Sequence, residues 1–330
     1  MTGPQVEPRA DIALMDGYHS PQVDVPVRLN TNECPTPPPD EWVDALRDEL
    51  AGLAWNRYPD RAATDLRSAL ADLHGVDPRQ IFAANGSNEV LQSLCLAYGG
   101  AGRAVATFEP TYALHGHIAR VTGADVRTYD RDEDFAIDPG RLDDALADGP
   151  SILFLCSPNN PTGRVDPESL VRRAVQRCRE DGVLLVVDEA YGQFSPWSAL
   201  DLVDDDHSVV VCRTFSKTWA MAGGRLGYCV APTWVVDQLE KVVLPYHLDL
   251  VTQAAGRLAL EHREAMLSRV EAIVAERNRV MEAFADLPVT TWPSGANFVL
   301  FRPDERPGAD VWQDQHEVGP RRPGGDRQVG

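Results

Sequence analysis

A chain of 330 residues, 43% hydrophobic and 25% charged, is long enough to bury a large core and to hold one big domain with a smaller one. Its net charge of -19 argues against nucleic acid or an anionic membrane as a partner, because phosphates would be repelled, but leaves room for a small anionic substrate gripped by local arginines. The N-terminus MTGPQVEPRADIAL lacks the basic and then apolar run of a signal peptide, and no apolar stretch reaches membrane-spanning length, so a cytoplasmic location is expected.

Residues 1 to about 30 form a polar, proline-rich arm that leads into Thr31-Asn32-Glu33-Cys34-Pro35. Trp42, Val43, Leu46 and Leu50 recur at helical spacing between Asp40 and Leu53. Arg57-Tyr58-Pro59-Asp60 is a turn by its Pro-Asp pair. Ile81 to Ala84 reads as a short strand, and Asn85-Gly86-Ser87-Asn88-Glu89 follows it directly before an apolar helix from Val90 to Tyr98. A glycine turn feeding a helix N-terminus offers unpaired backbone N–H groups to an anion, while Ser87 and Asn88 could equally serve as plain N-caps.

A second strand, Ala104 to Phe108, ends in Glu109-Pro110-Thr111-Tyr112. Ser151 to Cys156 and Val183 to Val187 are apolar runs of strand length, separated by a helical pattern from about Glu168 to Arg179, which makes a strand–helix–strand unit. Both strands finish in polar motifs, Ser157-Pro158-Asn159-Asn160-Pro161-Thr162-Gly163 and Asp188-Glu189-Ala190-Tyr191, at the edge where open α/β sheets bind ligands.

The next apolar strand, Val209 to Cys212, runs into Thr214-Phe215-Ser216-Lys217 and a Gly-Gly-Arg turn ending at Arg225. Lys217 and Lys241 are the only lysines of the chain, so lysine is no surface filler here. Between hydroxyl residues and behind a buried strand, the Lys217 amine can lose its proton cheaply and attack a carbonyl. Lys241 lies in a helical, solvated run and competes poorly. From Val251 to Leu287 the pattern predicts one long helix, a bridge to a second domain, and Ser294 to Phe301 predicts a strand. Six scattered cysteines read as reduced core residues, and His115 with His117 as structural or solvated, so no metal is expected.

Asn-Asn-Pro-Thr-Gly, then Asp-Glu-Ala-Tyr, then Ser-Lys with the later Arg225 resemble the fold type I pyridoxal-phosphate enzymes. The turn at Thr31 to Pro35, Tyr58-Pro59-Asp60, Pro110-Thr111-Tyr112 and Ala296-Asn297-Phe298 narrow the resemblance to their histidinol-phosphate aminotransferase-like branch, over about Tyr18 to Phe301. It implies an α/β fold with a mostly parallel seven-stranded sheet, helices on both faces and a small, incomplete α/β domain. The implied divisions are an arm at 1–30, a large cofactor-binding domain at 31–250, a linking helix and small-domain start at 251–301, and a tail at 302–330 expected to be disordered.

The cofactor implied is pyridoxal 5'-phosphate, with Lys217 as its Schiff-base lysine. By the same resemblance Asp188 faces the ring nitrogen, Asn160 and Tyr191 the ring's phenolic oxygen, and Tyr112 lies flat on the ring. Gly86, Ser87, Asn88, Thr214, Ser216 and Arg225 hold the phosphate, and Tyr58 reaches the phosphate of a partner subunit in a homodimer. Tyr18, Asn32, Asn297 and Tyr246 are implied substrate-pocket residues. The reaction implied is amino transfer between histidinol phosphate or a similar amine and a 2-oxo acid.

After Phe301 the sequence is rich in Gly, Pro and charge and has no apolar period, whereas the family continues with helix, strands and substrate-gripping arginines. Weakened turnover with acidic or phosphorylated substrates is therefore expected. Two other readings stay open: a lyase of phosphothreonine-decarboxylase type, and a catalytically impaired cofactor-binding protein.

Overall fold

Strands buried on both faces read as nearly continuous apolar runs, with polar residues kept to their ends, and three of them form the centre of the molecule. The computed structural model describes residues 6–17, 29–305 and 307–308. Within them β4 (Ile152–Cys156), β5 (Leu184–Asp188) and β6 (Val209–Thr214) are buried throughout. With β1 (Ile81–Ala84), β2 (Ala104–Glu109), β3 (Asp125–Asp130) and β7 (Gly227–Val230) they make a seven-stranded sheet of order β1-β7-β6-β5-β4-β2-β3. β7 runs antiparallel to both neighbours and every other pair is parallel. At the far edge β3 keeps polar residues, as an edge strand in contact with water should.

Successive side chains of a strand point to opposite faces, and the two faces carry separate clusters. Phe154, Val186 and Cys212 pack with Leu91 and Leu94 of α4 (Ser87–Tyr98), Ile118 of α5 (Leu114–Val121) and Leu239 of α8 (Thr233–Val242). Leu153, Leu155, Leu185 and Val187 pack the other way, against Leu142 of α6 (Pro139–Ala147) and Val171 of α7 (Glu168–Asp181). A third cluster joins Trp42 of α2 (Asp40–Gly52), Leu70 of α3 (Thr64–His74) and Leu258 of α9 (Leu250–Glu261) to Ile81, Tyr228 and Val230. A short helix, Ala10–Ala13, stands near the start of the chain.

Two expectations from the sequence are corrected. The long helical run after Val251 is two helices, α9 and then a helix at Arg263–Phe284, broken at His262. Tertiary packing explains the break: α9 is drawn into the cluster with α2 and α3, whereas the second helix brings Val270, Ile273 and Val274 against Tyr191, Phe194 and Ala296. The run Ser294 to Phe301 is strand only at its end, where β9 (Phe301–Pro303) pairs antiparallel with β8 (Val289–Thr291). Before that, the polar groups bond within the loop and to remote turns instead of to a neighbouring strand: Ser294 Oγ donates to Phe298 O at 2.6 Å, Gly295 N to Gly163 O at 2.8 Å and Asn297 Nδ2 to Asn32 O at 3.1 Å.

Among the described residues no helix is long and apolar enough to cross a membrane, and no group of three His, Cys, Asp or Glu is placed to hold a metal.

Candidate active site

The turns that follow β1, β2, β4, β5 and β6 leave the sheet at one edge, and antiparallel β7 starts from that same edge. Register puts Cys156 beside Asp188, Asp188 beside Cys212, and Thr214 beside Gly227. The polar motifs, 60 or more residues apart in some cases by their numbering, therefore meet around one cavity of about 460 Å³. Asn32, Ser87, Asn88, Tyr112, Asn160 and Asp188 line it from one set of loops, and Tyr191, Thr214, Ser216, Lys217 and Arg225 from another.

Lys217 sits three residues beyond the end of β6, half-buried, and its Nζ donates to Thr31 O at 2.7 Å. Burial pushes the amine down to about 8, and Arg225 adds to the fall while Glu33 opposes it. Water withdrawn from an ammonium favours the neutral form, so a usable share of Lys217 is a free nucleophile near neutral pH.

Asp188 ends β5 and is 1% exposed. Its Oδ2 accepts a hydrogen bond from His115 Nε2 at 2.9 Å, and its Oδ1 accepts from Ala190 N at 3.1 Å. His115 is fully buried, stacked on Phe154 with ring centroids 4.7 Å apart. It also meets Tyr112 edge-on at 5.5 Å. Sequence reasoning left His115 with the structural residues; the one signal that could have promoted it is its place a single helical turn after Tyr112.

Tyr191 is 4% exposed, and burial raises its phenol well above the ordinary tyrosine range. The hydroxyl oxygen accepts from Asn32 Nδ2 at 3.1 Å and from Asn160 Nδ2 at 3.4 Å. Tyr112 donates its hydroxyl to Asn88 Oδ1 at 3.3 Å.

The start of α4 is built for close approach. Gly86 is its N-cap at φ +81°, and no side chain caps the helix, so Ser87 and Asn88 are its first residues and not its caps. A Cβ on Gly86 would lie 2.5 Å from Arg225 Nη2, and one on Gly227 would run into Ser87 N and the Gly86 carbonyl carbon. Arg225 Nη1 donates to Ser216 Oγ at 3.3 Å, and Thr214 Oγ1 accepts from Ser216 N at 3.1 Å. An arginine, two hydroxyl residues and a bare helix N-terminus thus converge where only glycine leaves space, a donor set that fits a phosphate.

Other expected residues stand elsewhere. Tyr58 and Tyr246 stack on each other at 4.5 Å, 79% and 42% exposed, and neither lines the cavity. Asn297 stays behind Asn32, on whose carbonyl it donates. Tyr18 lies outside the described residues. Thr31 and Glu33, which line the cavity, have no role readable from the sequence beyond their place in the Thr31–Pro35 turn, because that role depends on the turn lying over Lys217.

Residues 24–314 match the family described as aminotransferase class I and II. The chain belongs to this family. The match runs past Phe301, beyond the last motif that carries the resemblance in the sequence. This aminotransferase is 45% identical over 326 residues to the histidinol-phosphate aminotransferase of Frankia casuarinae, covering 94% of this chain and 81% of the relative. It is 44% identical to that of Mycolicibacterium smegmatis, covering 88% and 81%. Among solved structures, the histidinol-phosphate aminotransferase of Sinorhizobium meliloti, a complex with pyridoxal-5'-phosphate, superposes with a TM-score of 0.85 at 25% identity, covering 98% of this chain and 90% of that one. A putative histidinol-phosphate aminotransferase from Erwinia carotovora atroseptica gives 0.77 at 28% identity, covering 87% and 84%. As an aminotransferase, the chain acts on amino and keto acid substrates.

Proposed function

We propose that this aminotransferase uses pyridoxal 5'-phosphate, held through Lys217, to move an amino group from histidinol phosphate or a close relative of it to a 2-oxo acid. The observation that carries the reading is the lone cavity lysine: a half-buried amine brought down to about 8, facing Asp188, Tyr191 and a phosphate-sized set of donors. The names of the relatives at 42–45% identity support the choice of substrate. When bound, the cofactor supplies a carbonyl for the amine and a ring that accepts electrons from the substrate carbon.

The residues divide the work. Ser87, Asn88, Thr214, Ser216 and Arg225 bind the phosphate, each charge-assisted hydrogen bond contributing ~1.5–3 kcal/mol. Asp188 holds a proton at the ring nitrogen; a charge pair at ~4 Å is worth about 4 kcal/mol at an effective dielectric of 20. Asn160 and Tyr191 orient the ring oxygen, and Tyr112 covers the ring face. Lys217, when its amine is free, would move the proton at the substrate carbon, a task worth roughly 10²–10⁴ in rate.

The large domain is 31–250, residues 251–301 begin the small one, and the active form is a cytoplasmic homodimer in which exposed Tyr58 reaches the partner's phosphate site. The deciding experiment is an absorption spectrum with pyridoxal phosphate, then borohydride reduction and peptide mapping, beside an assay with histidinol phosphate and a 2-oxo acid. Label on Lys217 with turnover is the expected result. No band in folded protein, or label on Lys241 alone, overturns the proposal.

A further inference from the structure

The Thr31-Asn32-Glu33 turn closes over the cavity with Asn32 at φ +52°, a conformation asparagine tolerates better than most residues. Three contacts fasten it: Lys217 Nζ donates to Thr31 O at 2.7 Å, Asn32 Nδ2 donates to the Tyr191 hydroxyl at 3.1 Å, and Asn297 Nδ2 donates to Asn32 O at 3.1 Å. A phenol has one O–H and two lone pairs. Asn32 Nδ2 and Asn160 Nδ2 can only donate, so together they take both lone pairs of Tyr191. Its own proton is then left to point into the cavity that Tyr191 lines.

We propose that Asn32 is a positioning residue, which sets Tyr191 as a hydrogen-bond donor toward the cofactor's ring oxygen and is itself held in place by Asn297. This rests on the function proposed above and goes beyond it, since Asn32 acts here on Tyr191 and not on substrate. Asn297 comes from the loop between β8 and β9, so the proton direction at Tyr191 is tied to the placement of that loop. The orientation of Asn32 decides the polarity: a carboxylate at this position would accept, and would turn the Tyr191 proton away from the ring.

The test is a pH titration of the visible absorption of the chain loaded with pyridoxal phosphate. A donor on the ring oxygen favours its deprotonated form, so losing it raises the midpoint, by about one pH unit or more for Tyr191→Phe. Asn32→Asp should raise it comparably, Asn297→Ala should raise it less, and the double variant N32D/Y191F should rise no further than Y191F. Asn32→Gly, which keeps the positive-φ turn and removes the amide, should also raise the midpoint and serves if N32D does not fold. An unshifted N32D or N32G beside a shifted Y191F overturns the inference and leaves the proposed function standing. A shift that adds fully in the double variant also overturns it, because a charge effect independent of Tyr191 would do that. A wild-type chain with no chromophore on Lys217 overturns the function and this inference together.

Discussion

His115 Nε2 lies 2.9 Å from Asp188 Oδ2, and both side chains are buried. A carboxylate only accepts, so the imidazole N–H donates to it, and Asp188 enters the cavity already held on its inner side. Replacing His115 by Leu keeps an apolar fit against Phe154 and removes the donor. The buried carboxylate then loses a charge-assisted bond, and the cofactor-free protein should lose about 1.5–3 kcal/mol in urea unfolding. An unchanged midpoint would show that Asp188 finds another donor.

Lys217 gives a pH dependence with a definite sign. Its amine titrates at 10.5 in an unfolded chain and at about 8 in the fold, so the native state binds this proton more weakly. Below pH 8 that cost is present in full, and it fades as pH rises from 8 to 10.5. Subtracting the stability curve of Lys217→Met from that of the cofactor-free parent should leave a rise across this window. A flat difference would place the amine in ordinary solvent.

Gly227 faces the start of α4 with no space for a methyl group. Gly227→Ala must push Ser87 and Gly86 away from Arg225, so phosphate affinity should fall by tenfold or more, roughly 1.4 kcal/mol. Equilibrium dialysis with pyridoxal phosphate checks this, with pyridoxal itself as the control that should be affected less.

Arg131 and Asp166 form a bidentate pair, 2.8 and 3.1 Å, with both side chains buried. The pair ties the end of β3 to the loop that carries Asn160, and Asp166 N also donates to Ser157 Oγ at 3.0 Å. Arg131→Met strands a buried charge and should cost about 3–5 kcal/mol in denaturant unfolding, while R131M/D166L should recover a large part of it. Equal losses in the two variants would mean that the loop, and not the charge, carries the cost.

Tyr58 is 79% exposed for a ring stacked only on Tyr246 among the aromatic contacts of the described residues. If it serves a partner's cavity, inactive Tyr58→Ala and Lys217→Ala chains should complement each other when mixed and refolded, with up to about a quarter of the parental activity regained in the whole mixture, because about half of the dimers are mixed and each of these has one intact site of two. No recovery would confine Tyr58 to its own chain.

Much of the fold and of the cavity is legible in the sequence, for local reasons. Apolar runs of strand length marked β4, β5 and β6, and helical spacing marked α2 and α7. The motifs at the ends of those strands had to share one edge, because parallel strands all finish on the same side of a sheet. Lys217 stood out by scarcity alone. The readings that failed were those in which distant packing overrode local pattern, as where His262 divides one apolar period into two helices, or where Ser294 to Leu300 spend their polar groups on a loop.

The order of the motifs and the residue types at each strand end were determined by the sequence itself, since an apolar period and a polar terminus are properties of neighbouring residues. Only the tertiary structure decided that His115 buttresses Asp188 across 73 residues, that Thr31 covers Lys217 across 186, and that Asn32 joins Tyr191 to Asn297. Such contacts arise where the sheet and its two helical layers bring remote turns within hydrogen-bond reach, and no local pattern records that closure.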